Sequence, residues 1–175
     1  MGWLNRIIER IMAFFPQIIQ LPPFTAGVRF TFGKYAKAKR PGWYLVWPLI
    51  QKFIWMEVQT QVVDLRTQSV TTSDNKDIVI SGAIQYSIRD IKKAVCLVQN
   101  VDVSLEILAL GIILEFVNTK TLKECQNVKA LKAEILKGMR EAVNAWGVKL
   151  ERVYMTDLGH TRNIRLLTNP VPVLE

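Results

Sequence analysis

The sequence predicts an α+β domain, an antiparallel sheet with helices packed on it, preceded by an N-terminal amphipathic helix. Three features point there. Within residues 27–33 and again along Ile78 to Ile88 apolar side chains alternate with other residues, the period of a half-buried strand. Between Asp90 and Gly147 the spacing lengthens to threes and fours, the period of a helix. A last alternating run, VKLERVYM, begins at Val148 and returns the chain to the sheet.

The first element, residues 1–24, reads MGWLNRIIERIMAFFPQIIQLPPF. Trp3, Leu4, Ile7, Ile8, Ile11, Met12, Phe14, Phe15, Ile18 and Ile19 supply an apolar stripe, and Asn5, Arg6, Glu9, Arg10, Gln17 and Gln20 fill the gaps. A spanning helix needs about 20 mostly apolar residues. Here three charges occupy the first half, and Pro16, Pro22 and Pro23 interrupt the rest. The same prolines and glutamines break the apolar region that a cleaved signal needs, and Arg6 stands where a myristoylation motif wants Ser or Thr. Two placements stay open. The stripe packs on its own chain or a neighbour, or it lies in the membrane interface with its aromatic side chains among acyl chains and Arg6 and Arg10 at headgroup level. The stiff Pro22-Pro23 joint, which sets the segment off from the rest of the chain, favours the membrane.

Past the joint, GVRFTFG (27–33) puts Val28, Phe30 and Phe32 on one face of a strand, between turn glycines. Lys34 to Gly42 reads as a basic loop closing on a Pro-Gly turn, and Lys34, Lys37, Lys39 and Arg40 join Arg6 and Arg10 as candidate contacts to anionic lipid. WYLVWPLIQKFIWMEV (43–58) is apolar on both faces, either a strand pair buried on both sides or a hairpin edge that meets lipid. Pro48 argues against a central strand there. Trp55 is assigned to the core, whereas Trp43 and Trp47 suit a core and a membrane interface equally. Residues 58–90 read as antiparallel sheet, with a turn at 73–76 and a bulge at Gly82.

Three helices come next. Asp90 caps a short one, residues 102–117 form a second that is apolar nearly all round, and Val128, Leu131, Ile135, Met139, Val143 and Trp146 mark a third, ended by Gly147. A helix without a polar face must be covered on every side, and a small domain encloses little. Leu105, Leu108, Ile112, Ile113 and Phe116 are therefore candidate self-association residues. Residues 161–175 form a tail with no firm pattern.

Composition bounds the function. The chain has 175 residues, a net charge of +8 and 50% apolar residues, which suits a folded protein with an anionic partner. The charge is concentrated: Arg6, Arg10, Arg29, Lys34, Lys37, Lys39 and Arg40 against Glu9 alone leave +6 within residues 1–42. Cys96 and Cys125 lack metal spacing and read as two buried thiols of a reducing compartment.

The runs AGVRFTFGKY, RPGWYLVWPLIQKF, DLRTQSVTTSDNKDIVISGAIQYSI and AWGVKLERVYMTDL, in that order over about residues 26–160, resemble the SPFH domain of the stomatin, prohibitin and flotillin family. The most specific pieces are Pro41-Gly42 with Pro48, Asp64-Leu65-Arg66, Thr72-Ser73-Asp74, and Ala145 to Val148 passing into Glu151-Arg152-Val153. The resemblance implies an SPFH domain at 25–160, held at a membrane by its N-terminal segment. It also implies side-by-side assembly into rings or cages, often beside membrane proteases or channels. The chain departs from the family in its amphipathic start, in having no heptads after the domain, and in Glu115, where a basic residue is expected. A smaller and weaker assembly is the expectation.

Chemistry has little foothold in the sequence. The single histidine, His160, has no triad-like partner, Asp74 and Asp77 flank a turn, and no phosphate loop, cofactor fingerprint or metal spacing is present. The lysines at 34, 37 and 39 do not lead into a nucleic-acid-reading element. The expectation is a non-enzymatic scaffold on the cytoplasmic face of a membrane, with lipids and copies of itself as partners and no catalytic residue, cofactor, metal or nucleic acid. The alternative is a soluble oligomeric adaptor whose N-terminal helix binds a protein.

Overall fold

Pro16 and Pro22 bracket a stretch too short for a stable helix. In the computed structural model, which describes residues 14–160, that stretch is a strand. β1 (Gln17–Leu21) pairs antiparallel with β4 (Gly42–Val46), with Ile18 opposite Leu45 and Gln20 opposite Trp43. The helical stripe expected through Ile18 and Ile19 thus does not reach them. Proline lacks a donor and bars the residue before it from the helical region, whereas β4 offers the β-branched pair a ladder. Trp3, Leu4, Arg6, Ile7, Ile8, Arg10, Ile11 and Met12 lie outside the described residues.

β2 (Thr25–Thr31) runs between β3 (Tyr35–Lys39) and β5 (Gln51–Glu57), antiparallel to both. The expected basic loop is therefore largely an edge strand, in which Lys37 and Lys39 alternate with Ala36 and Ala38; lysine on an edge discourages stray pairing. The apolar run 43–58 is not one hairpin. Pro48 lies in a turn that carries the chain from β4, the partner of β1, to β5, the partner of β2. Trp55 is half exposed, contrary to the core assignment, because it pairs with Gly27 on the face turned away from the core. Val28, on the other face, is fully buried.

β6 (Gln61–Thr71), β7 (Asp77–Ile88) and β8 (Val148–His160) form the second three-stranded sheet, with β7 in the middle. Between β7 and β8 come α1 (Ile91–Leu97), α2 (Val101–Thr119), the single turn α3 (Leu122–Cys125) and α4 (Val128–Ala145). Ile78, Ile80, Ile84 and Tyr86 of β7 join Leu105, Ala109, Ile113 and Val117 of α2 and Leu131, Ile135, Met139 and Val143 of α4 in one buried cluster. Burying each large apolar side chain contributes about 1.5–3 kcal/mol.

Local signals set the joints. Asp90 accepts from the amides of Lys92 and Lys93, as a cap should. Gly147, at φ +77°, ends α4, and an added Cβ there would stand 2.6 Å from the Asp90 carbonyl oxygen. Gly82 lies where the register of β7 against β8 shifts, which is the expected bulge, and a Cβ would collide with the Tyr154 carbonyl oxygen. Cys125 is buried, and burial pushes its thiol pKa up. Cys96 is exposed, against expectation, because it lies on the outward side of α1, whose buried residues are Ile91 and Ala94.

Candidate functional site

β1 and β4 form a two-stranded ribbon with unlike faces. Leu21 and Val46 are buried against the rest of the chain, while Ile18, Trp43 and Leu45 present 68%, 69% and 59% of their surface to solvent. The ribbon leads into an apolar tip. Trp47 donates its indole N–H to the Phe14 carbonyl at 2.7 Å, the amides of Ile50 and Gln51 donate to the Trp47 carbonyl, and the Phe32 amide donates to the Ile50 carbonyl at 2.8 Å. Phe14, Phe15, Phe32, Trp47, Leu49 and Ile50 are all exposed there. Phe32 adopts φ 52°, a left-handed conformation that costs a bulky residue energy, so its outward placement is maintained against strain. Soluble monomers rarely leave such a contiguous apolar surface to water.

The charge of this unit is one-sided. From Phe14 to Met56 the cations are Arg29, Lys34, Lys37, Lys39, Arg40 and Lys52, and Asp and Glu do not occur. Lys34 is exposed in the β2–β3 turn, Lys37 is exposed on β3, and Arg40 is exposed beyond it. Lys39 is half buried, with Nζ 5.2 Å from the centre of the Tyr44 ring. Tyr44 in turn stacks on Phe53 at 5.9 Å and donates its hydroxyl to the Arg40 carbonyl. Of the apolar residues expected at a membrane, Phe14, Phe15 and Ile18 are exposed, while Ile19 is half buried beside Tyr44.

On α2 the outcome is divided. Leu105 and Ile113 are core residues and cannot be an interface, and Leu108, Ile112 and Phe116 are half buried against the core. Ile112 lies against Gly138 of α4, where even a Cβ would come within 3.1 Å of its Cδ1. The outward side is instead Val103, Ile107 and Leu114, a stripe that the uniformly apolar sequence could not single out. The buried Glu106 of the same helix takes a bidentate pair from Arg66 at 2.5 and 3.3 Å, and that hydrogen bonding holds its carboxyl below the usual range.

The carboxylates considered for catalysis have structural partners. Asp74 accepts from the Thr72 hydroxyl at 2.6 Å and from the Leu122 amide at 3.0 Å, fastening the β6–β7 turn to α3; the Thr72 bond lowers its pKa. Asp77 accepts from Thr71. His160 ends β8 opposite Ile78. Tyr86, buried under α2, donates to Asp102 at 2.5 Å, and burial with that bond raises its pKa.

The profile of the SPFH domain / Band 7 family matches residues 19–165, from within β1 to past the end of β8. The chain belongs to the SPFH domain / Band 7 family. Stomatin-4 of Caenorhabditis elegans is 25% identical over 90% of this chain and 59% of its own length. Stomatin of Mus musculus is 27% identical over 69% of this chain and 43% of its own. An archaeal protein of Methanocaldococcus jannaschii is 21% identical over 93% of this chain and 82% of its own. The chain thus spans about half the length of the stomatins it matches. The apolar ribbon, the one-sided charge and the α2 stripe lie on the surface of this domain. Among the described residues no single helix is long and apolar enough to cross a membrane.

Proposed function

We propose that this SPFH protein is a non-enzymatic scaffold that attaches to the cytoplasmic face of a membrane and self-associates there to organise membrane proteins. The observation that carries the proposal is one unit, residues 14–56, in which exposed Ile18, Trp43, Leu45 and Trp47 occur together with six cations and no carboxylate. Apolar side chains gain by entering the interface, and each nearby Lys or Arg adds about 1 kcal/mol at an anionic surface, screened by salt. A soluble adaptor explains either feature alone but not their occurrence in one unit. Residues 1–13, with Trp3, Ile7, Ile11 and the flanking Arg6 and Arg10, extend the attachment. The outer stripe of α2, Val103, Ile107 and Leu114, is the proposed contact between copies. Flotation with anionic and neutral vesicles tests the attachment. The full chain should float with anionic vesicles, less so as salt rises, and a chain that stays at the bottom of the gradient with both refutes it.

A further inference from the structure

Among the described residues, one buried side-chain nitrogen or oxygen lacks a hydrogen-bond partner: Nε of Arg29. Buried donors are nearly always satisfied, and an exception signals a bound water, strain or a missing ligand. Arg29 lies in the middle of β2, opposite Lys37 on β3 and Phe53 on β5, so two cations are paired directly on the face turned away from the core. Like charges in that relation repel. No internal anion relieves them, because the chain carries no Asp or Glu from Phe14 to Met56 and the salt bridges among the described residues are Arg66–Glu106 and Lys120–Glu124. Lys39, also on this face, is turned onto the Tyr44 ring, so Arg29 and Lys37 are the cross-strand cation pair that remains.

Resting on the proposed membrane attachment, we propose that Arg29 and Lys37 together hold the phosphate of a phosphomonoester lipid headgroup. A guanidinium presents planar paired donors that match phosphate oxygens, and an ammonium adds a compact charge beside it. A phosphomonoester carries close to two negative charges near neutral pH, one for each cation. It supplies the guanidinium with a counter-anion and removes the like-charge repulsion. It does so on the unit whose ribbon and tip carry the apolar side chains proposed to enter the bilayer.

The probes are phosphatidylcholine vesicles carrying phosphatidic acid or, at matched surface charge, phosphatidylserine, and glycerol 3-phosphate in solution. Wild type should prefer the phosphatidic acid vesicles by about tenfold. Arg29→Gln and Lys37→Gln should each abolish that preference, while Lys52→Gln, which removes the same charge from the opposite face of β5, should weaken binding to both vesicles alike and keep the preference. Lys37 is exposed, so its variant tests the site even if Arg29→Gln fails to fold. The nitrogen resonance of Arg29 Nε in the wild type, titrated with a short-chain phosphatidic acid, gives a readout free of any substitution and should shift. Equal losses in all three variants overturn the site and leave membrane attachment standing, as does an unshifted Nε resonance. A shift with glycerol 3-phosphate but no preference among vesicles assigns the site to a soluble phosphoester and overturns the headgroup. Wild type that floats with no vesicle overturns both proposals.

Discussion

Replacing Ile18, Trp43 and Leu45 together with threonine should detach the protein from membranes without unfolding it. The three side chains share one face of the β1–β4 ribbon and expose 68%, 69% and 59% of their surface. Full burial of a large apolar side chain is worth about 1.5–3 kcal/mol, so the roughly two-thirds available on each gives about 1–2 kcal/mol, or about 3–6 kcal/mol for the three. At about 1.4 kcal/mol per decade, partitioning should fall by about 10²- to 10⁴-fold. Threonine suits a strand and leaves the backbone ladder intact. The assay is flotation over a range of lipid concentrations, with the melting transition as the folding control. A folded triple variant that partitions within about threefold of wild type would refute the assignment of this face to the bilayer, since the loss expected on this basis is at least tenfold larger.

Other substitutions read the remaining parts of the structure. Ile113→Ala, in the core, should cost about 2–5 kcal/mol in urea unfolding, whereas Ile107→Ala, on the outer side of the same helix, should stay within about 0.5 kcal/mol. Ile107→Lys should lower self-association on lipid as measured by crosslinking while the melting temperature holds; unchanged crosslinking removes the α2 stripe from the interface. Gly82→Ala should destabilise through the clash with the Tyr154 carbonyl, and an unchanged urea midpoint would mean that the β7–β8 register relaxes to admit the methyl group. Glu106 has a depressed carboxyl pKa in the folded chain, so its stabilisation is present above the unfolded carboxylate value of about 4.3 and lost as pH falls through the lower folded value. The urea-midpoint difference between wild type and Glu106→Gln should accordingly hold at neutral pH and shrink below about pH 4; a difference that does not vary with pH would rule out the ion pair as its source.

What the sequence determined by itself were the features whose cause is local. The cap at Asp90 needs only the two amides of Lys92 and Lys93, and the stop at Gly147 needs only a residue that tolerates φ +77°. Alternation along Ile78 to Ile88 is a property of one strand, and the family motifs are turns and strand ends, whose demands on residue type are local. Tertiary structure decided whatever depended on a distant partner. Gln17–Leu21 is a strand because β4, some 25 residues on in sequence, pairs with it, and the stripe that continues into it from residues 1–13 gives no hint of that partner. α2 is apolar nearly all round, so its own periodicity could not separate Ile113 from Ile107; the positions of β6 and α4 do that, burying one and leaving the other outside. In the sequence Arg29 is one cation among many. It becomes distinctive only when the β2–β3 register sets Lys37 against it and the surrounding chain closes over Nε, because a charge is unpaired only relative to what folding brings near it.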